Sequence, residues 1–226
     1  MKFKVIEIFD SIDGEGIRTG QPVSFVRLAG CNLRCTYCDT LYSLFGEEEP
    51  CEYVEMTEKE IIEKLNPLYK RVTLTGGEPL ISPDADKLVK LMCDRGFEVN
   101  IETNGAVDIR NFCKEIRDKF FFTIDYKLPK SGMEDKMIWE NFLNLTPADA
   151  IKFVAGSEKD VQKMIEVVTK LKSFYIKMPP IFIGAVYGEY DLKKLTETVL
   201  KNPVLSDARV QIQLHKIIWH PDERGV

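Results

Sequence analysis

Val23-Ser24-Phe25-Val26-Arg27-Leu28-Ala29-Gly30-Cys31-Asn32-Leu33-Arg34-Cys35-Thr36-Tyr37-Cys38 is the stretch on which the reading of this chain turns. Its first seven residues are β-branched and mostly apolar, as a strand requires, and they run straight into a loop carrying three cysteines. Three thiolates so close together can hold one soft metal centre, either an iron–sulfur cluster or zinc. Structural zinc closes its tetrahedron with a fourth Cys or His. Here the two histidines, His215 and His220, lie far along the chain, and no second cysteine pair follows. If the centre is a four-iron cluster, one iron is left without a protein thiolate and can bind a small molecule. The remaining cysteines, Cys51, Cys93 and Cys113, are scattered and read as structural.

Outward from this stretch, strands and helices alternate. Lys2 to Phe9 reads as an early strand. Glu47 to Glu55 is a charged connection, and Thr57-Glu58-Lys59-Glu60 has the spacing of a capping box ahead of the buried stripe Ile61, Ile62 and Leu65. Arg71 to Thr75 is a short strand. Ser82-Pro83 opens a helix that Gly96 closes. Phe97 to Glu102 and Phe120 to Asp125 are strands separated by an expected helix over Ile109 to Arg117. A helix near Ile138 to Leu143 precedes the strand Ala150 to Val154. Ser157 then caps a helix whose Val161, Met164, Ile165, Val168 and Leu171 recur at three and four. Phe174 to Met178 reads as a strand before the Pro179-Pro180 break, Leu192 to Leu200 as a helix, and Arg209 to His215 as a last strand. Repeated βα units predict an α/β fold with a mostly parallel sheet, as a βα barrel, complete or partial, or as a doubly wound open sheet.

Composition narrows the function. The 226 residues are 44% hydrophobic and 30% charged, enough for a sizeable core, and the net charge of −5 argues against a broad nucleic-acid-binding face. No apolar run approaches the roughly 20 residues that cross a bilayer. The start, Met1-Lys2-Phe3-Lys4-Val5-Ile6-Glu7, lacks the apolar centre of a signal peptide, so a cytoplasmic, reducing location is expected, without membrane contact.

The chemistry-bearing segments fall at strand ends. The cysteine loop follows the Val23 strand, and Thr75-Gly76-Gly77-Glu78-Pro79 follows the Arg71 strand. Glu102-Thr103-Asn104-Gly105 and Asp125-Tyr126-Lys127 end two more. Gly-Gly before Pro makes a turn. It also lets backbone come close to a ligand, with Glu78 and nearby carbonyls accepting from a cationic group.

Cys31, Cys35 and Cys38, with Tyr37 before the last cysteine, together with Gly76-Gly77-Glu78-Pro79, resemble the cluster loop and methionine-amine motif of the radical S-adenosylmethionine (SAM) superfamily. A narrower match spans nearly the whole chain. Ser11-Ile12-Asp13-Gly14-Glu15-Gly16, Phe25 to Leu33, Cys38-Asp39-Thr40, Ile101 to Gly105, Lys127 to Met133, Leu214-His215-Lys216, Trp219 and Arg224-Gly225-Val226 are similar to the 7-carboxy-7-deazaguanine synthase family of queuosine and preQ0 biosynthesis, in its clostridial-type branch.

That resemblance implies one radical SAM core domain over residues 1–226, with short terminal extensions, folded as a partial βα TIM-like barrel. It implies a lyase that contracts the ring of 6-carboxy-5,6,7,8-tetrahydropterin, with loss of ammonia, to 7-carboxy-7-deazaguanine. Cys31, Cys35 and Cys38 would hold a 4Fe-4S cluster, and Thr40 would hold Mg2+. SAM would meet Tyr37, Cys38, Asp39, Gly77, Glu78, Thr103, Asp125, Tyr126 and Lys127. The pterin would meet Ile12, Asp13, Gly14, Arg27, Thr75 and His215, with the Arg27 fork suited to its carboxylate. Many relatives carry Gln where this chain has Asp13. A flavodoxin or ferredoxin would donate the electron, and the chain would form a homodimer. The rival readings are a radical SAM activase acting on a partner's glycine and a non-enzymatic iron–sulfur or zinc protein.

Overall fold

Strands β1 (Lys2–Ile12) and β2 (Pro22–Leu28) form an antiparallel hairpin with a bulge between Val5 and Glu7. This is seen in the computed structural model, which describes residues 1–44 and 51–226. The edge strand β3 (Val54–Thr57) lies along β1, and Thr57 at its end makes the capping box that starts helix α1 (Glu58–Lys64). Then come β4 (Arg71–Gly76), α2 (Ala85–Asp94), β5 (Glu98–Thr103) and β6 (Phe120–Tyr126). The chain continues through α3 (Trp139–Leu143), β7 (Ala150–Ala155), α4 (Glu158–Lys172) and β8 (Ile181–Ala185). It ends with α5 (Leu192–Lys201), β9 (Arg209–Val210) and the short α6 (His215–Ile218). Among the described residues nine strands run in the order β3-β1-β2-β4-β5-β6-β7-β8-β9, parallel from β2 onward, and β3 and β9 are left as separate edges. The fold is therefore an open, partial βα barrel. Among the described residues no helix is long and apolar enough to cross a membrane.

The two faces of this sheet differ in chemistry. One face carries Val26, Leu28, Val72, Leu74, Val99, Ile101, Phe122, Ile124, Ile151, Phe153 and Ile183, all buried in the core with Leu88 and Met92 of α2, Val161 and Met164 of α4 and Leu195 of α5. The alternate positions are mostly polar: Arg27 lies beside Thr75, Glu102 beside Thr123 and Asp125 beside Lys152. Successive side chains of a strand point to opposite faces, so a strand that alternates in this way has its helices on one side and a polar concave interior on the other. That interior is the place for a polar site.

Three expected elements differ. Phe174 to Met178 is not a strand: Phe174 is 57% exposed and Ile176 fully so, and β8 begins only after the prolines. Pro180 lacks an N–H but its carbonyl accepts from Ile151 N at 3.0 Å, so it enters the sheet where only an acceptor is needed. Ile109 to Arg117 forms turns and a single 3-10 turn (Lys114–Ile116) in place of a helix, because Cys113 takes φ 46° and Ile109 N bonds to Asn141 Oδ1 at 3.1 Å. Ile109, Cys113 and Ile116 are buried nonetheless, which accounts for the helix-like spacing. The last strand stops at Val210, and the chain then turns so that His215 begins α6. Glu47 to Pro50 lie outside the described residues, while Val54 and Glu55 of that charged stretch belong to β3.

Candidate active site

The concave face holds a cavity of about 770 Å³. Phe25 and Arg27 of β2, Thr75 and Gly76 of β4, Glu102 and Thr103 of β5, Thr123 and Asp125 of β6, and Lys152 and Val154 of β7 form its wall. Cys31, Cys35 and Cys38 open onto it, as do Ile12 at the end of β1, Gly14 of the β1–β2 loop and the C-terminal residues Pro221 to Val226.

Four neighbours pin the cysteine loop. Gly30 N donates to Ser43 O at 2.7 Å, and Gly30 O accepts from Glu78 N at 2.8 Å. Thr36 donates to the turn at Pro129–Ser131, from N to Ser131 O at 3.1 Å and from Oγ1 to Lys130 O at 2.6 Å. Asn104 Nδ2 donates to Asn32 Oδ1 at 2.8 Å and lies 3.7 Å from Cys31 Sγ, which also receives Leu33 N at 3.4 Å. Burial pushes the thiols of Cys31 and Cys35 up, opposed at Cys35 by Lys127. Among the described residues no three His, Cys, Asp or Glu side chains are placed to hold one metal ion. A four-iron cluster asks for a different arrangement, one thiolate to each iron. Cys93 and Cys113 are buried with thiols pushed by desolvation to about 11 and about 12, so they are inert.

The Gly76-Gly77-Glu78 segment does two structural jobs. A Cβ on Gly77 would lie 2.5 Å from Gly30 O and 2.7 Å from Cys31 Cβ, and one on Gly76 would strike Leu28 O. The glycines thus let the end of β4 press against the start of the cysteine loop, while both still line the cavity. Glu78 is fully buried and turned away from the cavity surface. Its carboxylate accepts from Leu80 N at 3.0 Å, Thr103 Oγ1 at 3.0 Å and Asn104 N at 2.6 Å, tying the ends of β4 and β5 together. Burial pushes its carboxyl up to about 7 against the pull of these donors.

The other expected site residues divide. Arg27, Tyr37, Asp39, Thr40, Thr75, Thr103, Asp125, Lys127 and His215 all reach the cavity. Arg27 is held through Nε by Glu7 Oε1 at 2.7 Å, and Tyr42 donates to the same oxygen at 3.2 Å. Thr75 Oγ1 donates to Glu102 Oε2 at 2.9 Å. Thr40 Oγ1 lies 3.7 Å from Cys38 Sγ. Asp39 pairs with Lys216 at 2.9 Å, which outweighs its burial and lowers its pKa. His215 packs on Gly14, where any Cβ would collide with Nδ1, and desolvation lowers its pKa. Besides Glu78, two expected contacts are not at the surface of the cavity. Asp13 is 2% exposed and is consumed by Arg18 and Thr73, and Tyr126 packs outward on Phe142 and Phe153 in the helix layer.

Residues that sequence reasoning passed over complete the wall. Lys152 Nζ lies 3.2 Å from Glu15 Oε2 and 3.7 Å from Asp125 Oδ2, while Lys127 Nζ lies 3.0 Å from the same Asp125 oxygen. Burial opposes charge on all three, yet the partners prevail: the pKa of Asp125 is lowered and those of Lys127 and Lys152 are raised. This buried chain of alternating charge keeps fixed ions in a water-poor interior. A lysine in the middle of the apolar run Ala150-Ile151-Lys152-Phe153-Val154 was the signal available in the sequence.

Comparison with known proteins places these features in a family. A model described as the radical SAM superfamily matches residues 25–191. The chain is 43% identical to the 7-carboxy-7-deazaguanine synthase of Clostridium acetobutylicum, with 100% of both chains covered. It is 36% identical to the 7-carboxy-7-deazaguanine synthase of Leptospira interrogans, covering 100% of this chain and 99% of the relative. Among solved structures, QueE from Escherichia coli shares the fold with a TM-score of 0.75 and 24% identity, covering 94% of each chain.

Proposed function

We infer, for a chain that belongs to the radical SAM superfamily and within it to the 7-carboxy-7-deazaguanine synthases, that the cavity converts 6-carboxy-5,6,7,8-tetrahydropterin to 7-carboxy-7-deazaguanine. One observation carries this: three cysteine thiols, Arg27 and the Lys127–Asp125–Lys152 charge chain open onto the same cavity. The cofactors are a 4Fe-4S cluster, SAM and Mg2+. Three cysteines fit the cluster with one iron left open, and the amide donors already aimed at Cys31 Sγ suit a cluster thiolate. Thr40 offers the cavity a hydroxyl oxygen, the hard donor that magnesium takes.

When bound, the cluster held by Cys31, Cys35 and Cys38 and the SAM beside it would supply the radical chemistry that hydrogen removal from the pterin, and its ring contraction with loss of ammonia, require. The protein's part is positioning and exclusion of water. Tyr37, Cys38, Asp39, Gly77, Thr103, Asp125 and Lys127 form the SAM side of the cavity, and Glu78 and Tyr126 support it from behind. Ile12, Gly14, Thr75 and His215 form the pterin side, with Asp13 beneath. Arg27, tethered by Nε, presents its remaining nitrogens to the pterin carboxylate. The C-terminal residues belong to the wall, and Arg224 stacks 3.8 Å over the Tyr42 ring. Such a lined pocket favours a small molecule over a polypeptide strand, and so the synthase over the activase.

Residues 1–226 act as one core domain, as a homodimer in a cytoplasm reducing enough to keep the thiols free, and a flavodoxin or ferredoxin supplies the electron. The test is anaerobic turnover of reconstituted protein with SAM, dithionite, Mg2+ and the pterin, read by mass spectrometry. Formation of 7-carboxy-7-deazaguanine with little net SAM consumption supports this function. SAM cleavage with the pterin untouched would leave the superfamily and remove the substrate.

A further inference from the structure

The loop between β1 and β2 enters the barrel from the end where the parallel strands begin, and Ile12 at the end of β1 reaches the cavity together with Gly14 and Glu15 of the loop. Its own backbone is closed by Asp13 N to Gln21 O at 3.0 Å and Gly20 N to Asp13 O at 2.8 Å. On one side it bridges toward β9: Gly16 N donates to Gln211 Oε1 at 2.9 Å, and Gln211 Nε2 to Glu15 Oε1 at 3.0 Å. On the other side Arg18 and Thr73 hold it through Asp13. Arg18 is 3% exposed, and its Nε donates to Asp13 Oδ2 at 2.8 Å. Its terminal nitrogens reach Glu98 O at 3.1 Å, Val72 O at 2.9 Å and Thr73 Oγ1 at 2.7 Å, and Thr73 in turn donates to Asp13 Oδ1 at 2.7 Å. The guanidinium also lies 5.2 Å from the Phe121 ring centroid.

We propose that Arg18 is a positioning residue for the pterin: by clamping Asp13 to the first residues of β4 and β5, it sets the height of the cavity floor formed by residues 12–15. The planar five-donor fork of arginine suits this task, because one rigid group satisfies a carboxylate, two carbonyls and a hydroxyl at once. Asp13 then acts through Arg18, and the side chain itself does not touch substrate. This rests on the pterin assignment above, so the test has an arm that does not depend on it.

Two variants separate positioning from folding. Arg18→Met leaves Asp13 buried without its cation and lowers stability, whereas Asp13→Asn with Arg18→Met removes both charges and recovers most of it. If Arg18 positions the floor, the double variant keeps a KM for the pterin raised about tenfold or more, with SAM affinity within about twofold of the parent, because the guanidinium's links to Val72, Thr73 and Glu98 are still gone even with Thr73 donating to position 13. Recovery of KM along with stability would overturn the proposal. Independently of any substrate, amide exchange at Asp13, Gly16 and Gly20 should quicken in the double variant while amides of β6 and β7 stay protected. Unchanged exchange there overturns the clamp even if turnover is never seen, and a parent enzyme inert toward the pterin with quickened loop exchange overturns only the substrate assignment.

Discussion

Replacing Gly77 by Ala tests how the cysteine loop is seated. The added methyl would lie 2.5 Å from Gly30 O, 2.7 Å from Cys31 Cβ and 2.9 Å from Gly30 C. The first of these falls about 0.9 Å short of the 3.4 Å at which ordinary contact begins. The obstacle is backbone, and Gly30 O is also the acceptor for Glu78 N at 2.8 Å, so no side chain can swing aside to relieve it. Relief must displace Gly30 and Cys31 themselves. Overpacking of this kind costs about 1–3 kcal/mol. A displacement near 1 Å at a reacting centre costs on the order of 100-fold in rate. The assay is anaerobic reconstitution, followed by iron and sulfide per chain, denaturant unfolding and the initial rate of SAM cleavage. Gly184→Ala is the control, since its methyl meets Gln211 only at 3.7–3.8 Å. Full cluster loading by Gly77→Ala, with SAM cleavage within about twofold of the parent, would refute the argument, because a shift of this size is expected to cost far more.

Stability against pH should report on Glu78. With its carboxyl raised from 4.5 to about 7, the folded protein keeps a proton that the unfolded chain has released, so stability is greatest below this window and falls as pH rises through it. Glu78→Gln should flatten that slope in urea titrations while lowering stability at every pH, since its amide must face the N–H donors of Leu80 or Asn104; Asp13, raised to about 6, contributes a slope of the same sign that the substitution leaves in place. Lys152→Met strands Glu15 without its cation and leaves Asp125 with Lys127 alone, so urea unfolding should show a loss of about 3 kcal/mol, and a loss below about 1 would mean that solvent screens the chain. Thr57→Ala removes the side-chain half of the box that starts α1, leaving Glu60 to accept from the backbone N–H at position 57, and should cost about 1 kcal/mol by thermal melting, with turnover unaffected.

The βα repeat was legible because most strands are short apolar runs bounded by turn residues, and the capping box at Thr57 was readable residue by residue. Phe174 to Met178 misled because apolar content in five residues does not report burial, and the buried run that follows begins behind two prolines. The cysteine spacing marked the loop as a place for one soft metal centre, and the resemblance, not the spacing, pointed to a four-iron cluster. Arg27 and Thr75 were within reach because they end strands. Asp13 and Glu78 stand in the same motifs, yet beside the nearby Arg18 and Leu80 their carboxylates are used by neighbours at sequence separations of 60 and 25–26, which no local pattern reveals. The wall residues Glu102, Thr123 and Lys152 share a signal that was present throughout: in Val99-Asn100-Ile101-Glu102, Phe122-Thr123-Ile124-Asp125 and Ile151-Lys152-Phe153, polar residues alternate with apolar ones. Buried parallel strands usually read as continuous apolar runs. A period of two in such strands marks a polar barrel interior, and with it the residues that face the ligand.

The central claim is that Arg27 and the three cysteines serve two different molecules in one cavity. Its most direct test measures 7-carboxy-7-deazaguanine and 5′-deoxyadenosine side by side in the parent and in Arg27→Ala. Loss of the carboxylate's fork should cut product formation by about 100-fold or more, as expected for a charge-assisted bidentate contact worth about 3 kcal/mol, while uncoupled SAM cleavage persists near the parent rate. Equal loss of both activities would contradict the account and make Arg27, with Glu7 and Tyr42, a support of the cavity wall and not a contact with the pterin.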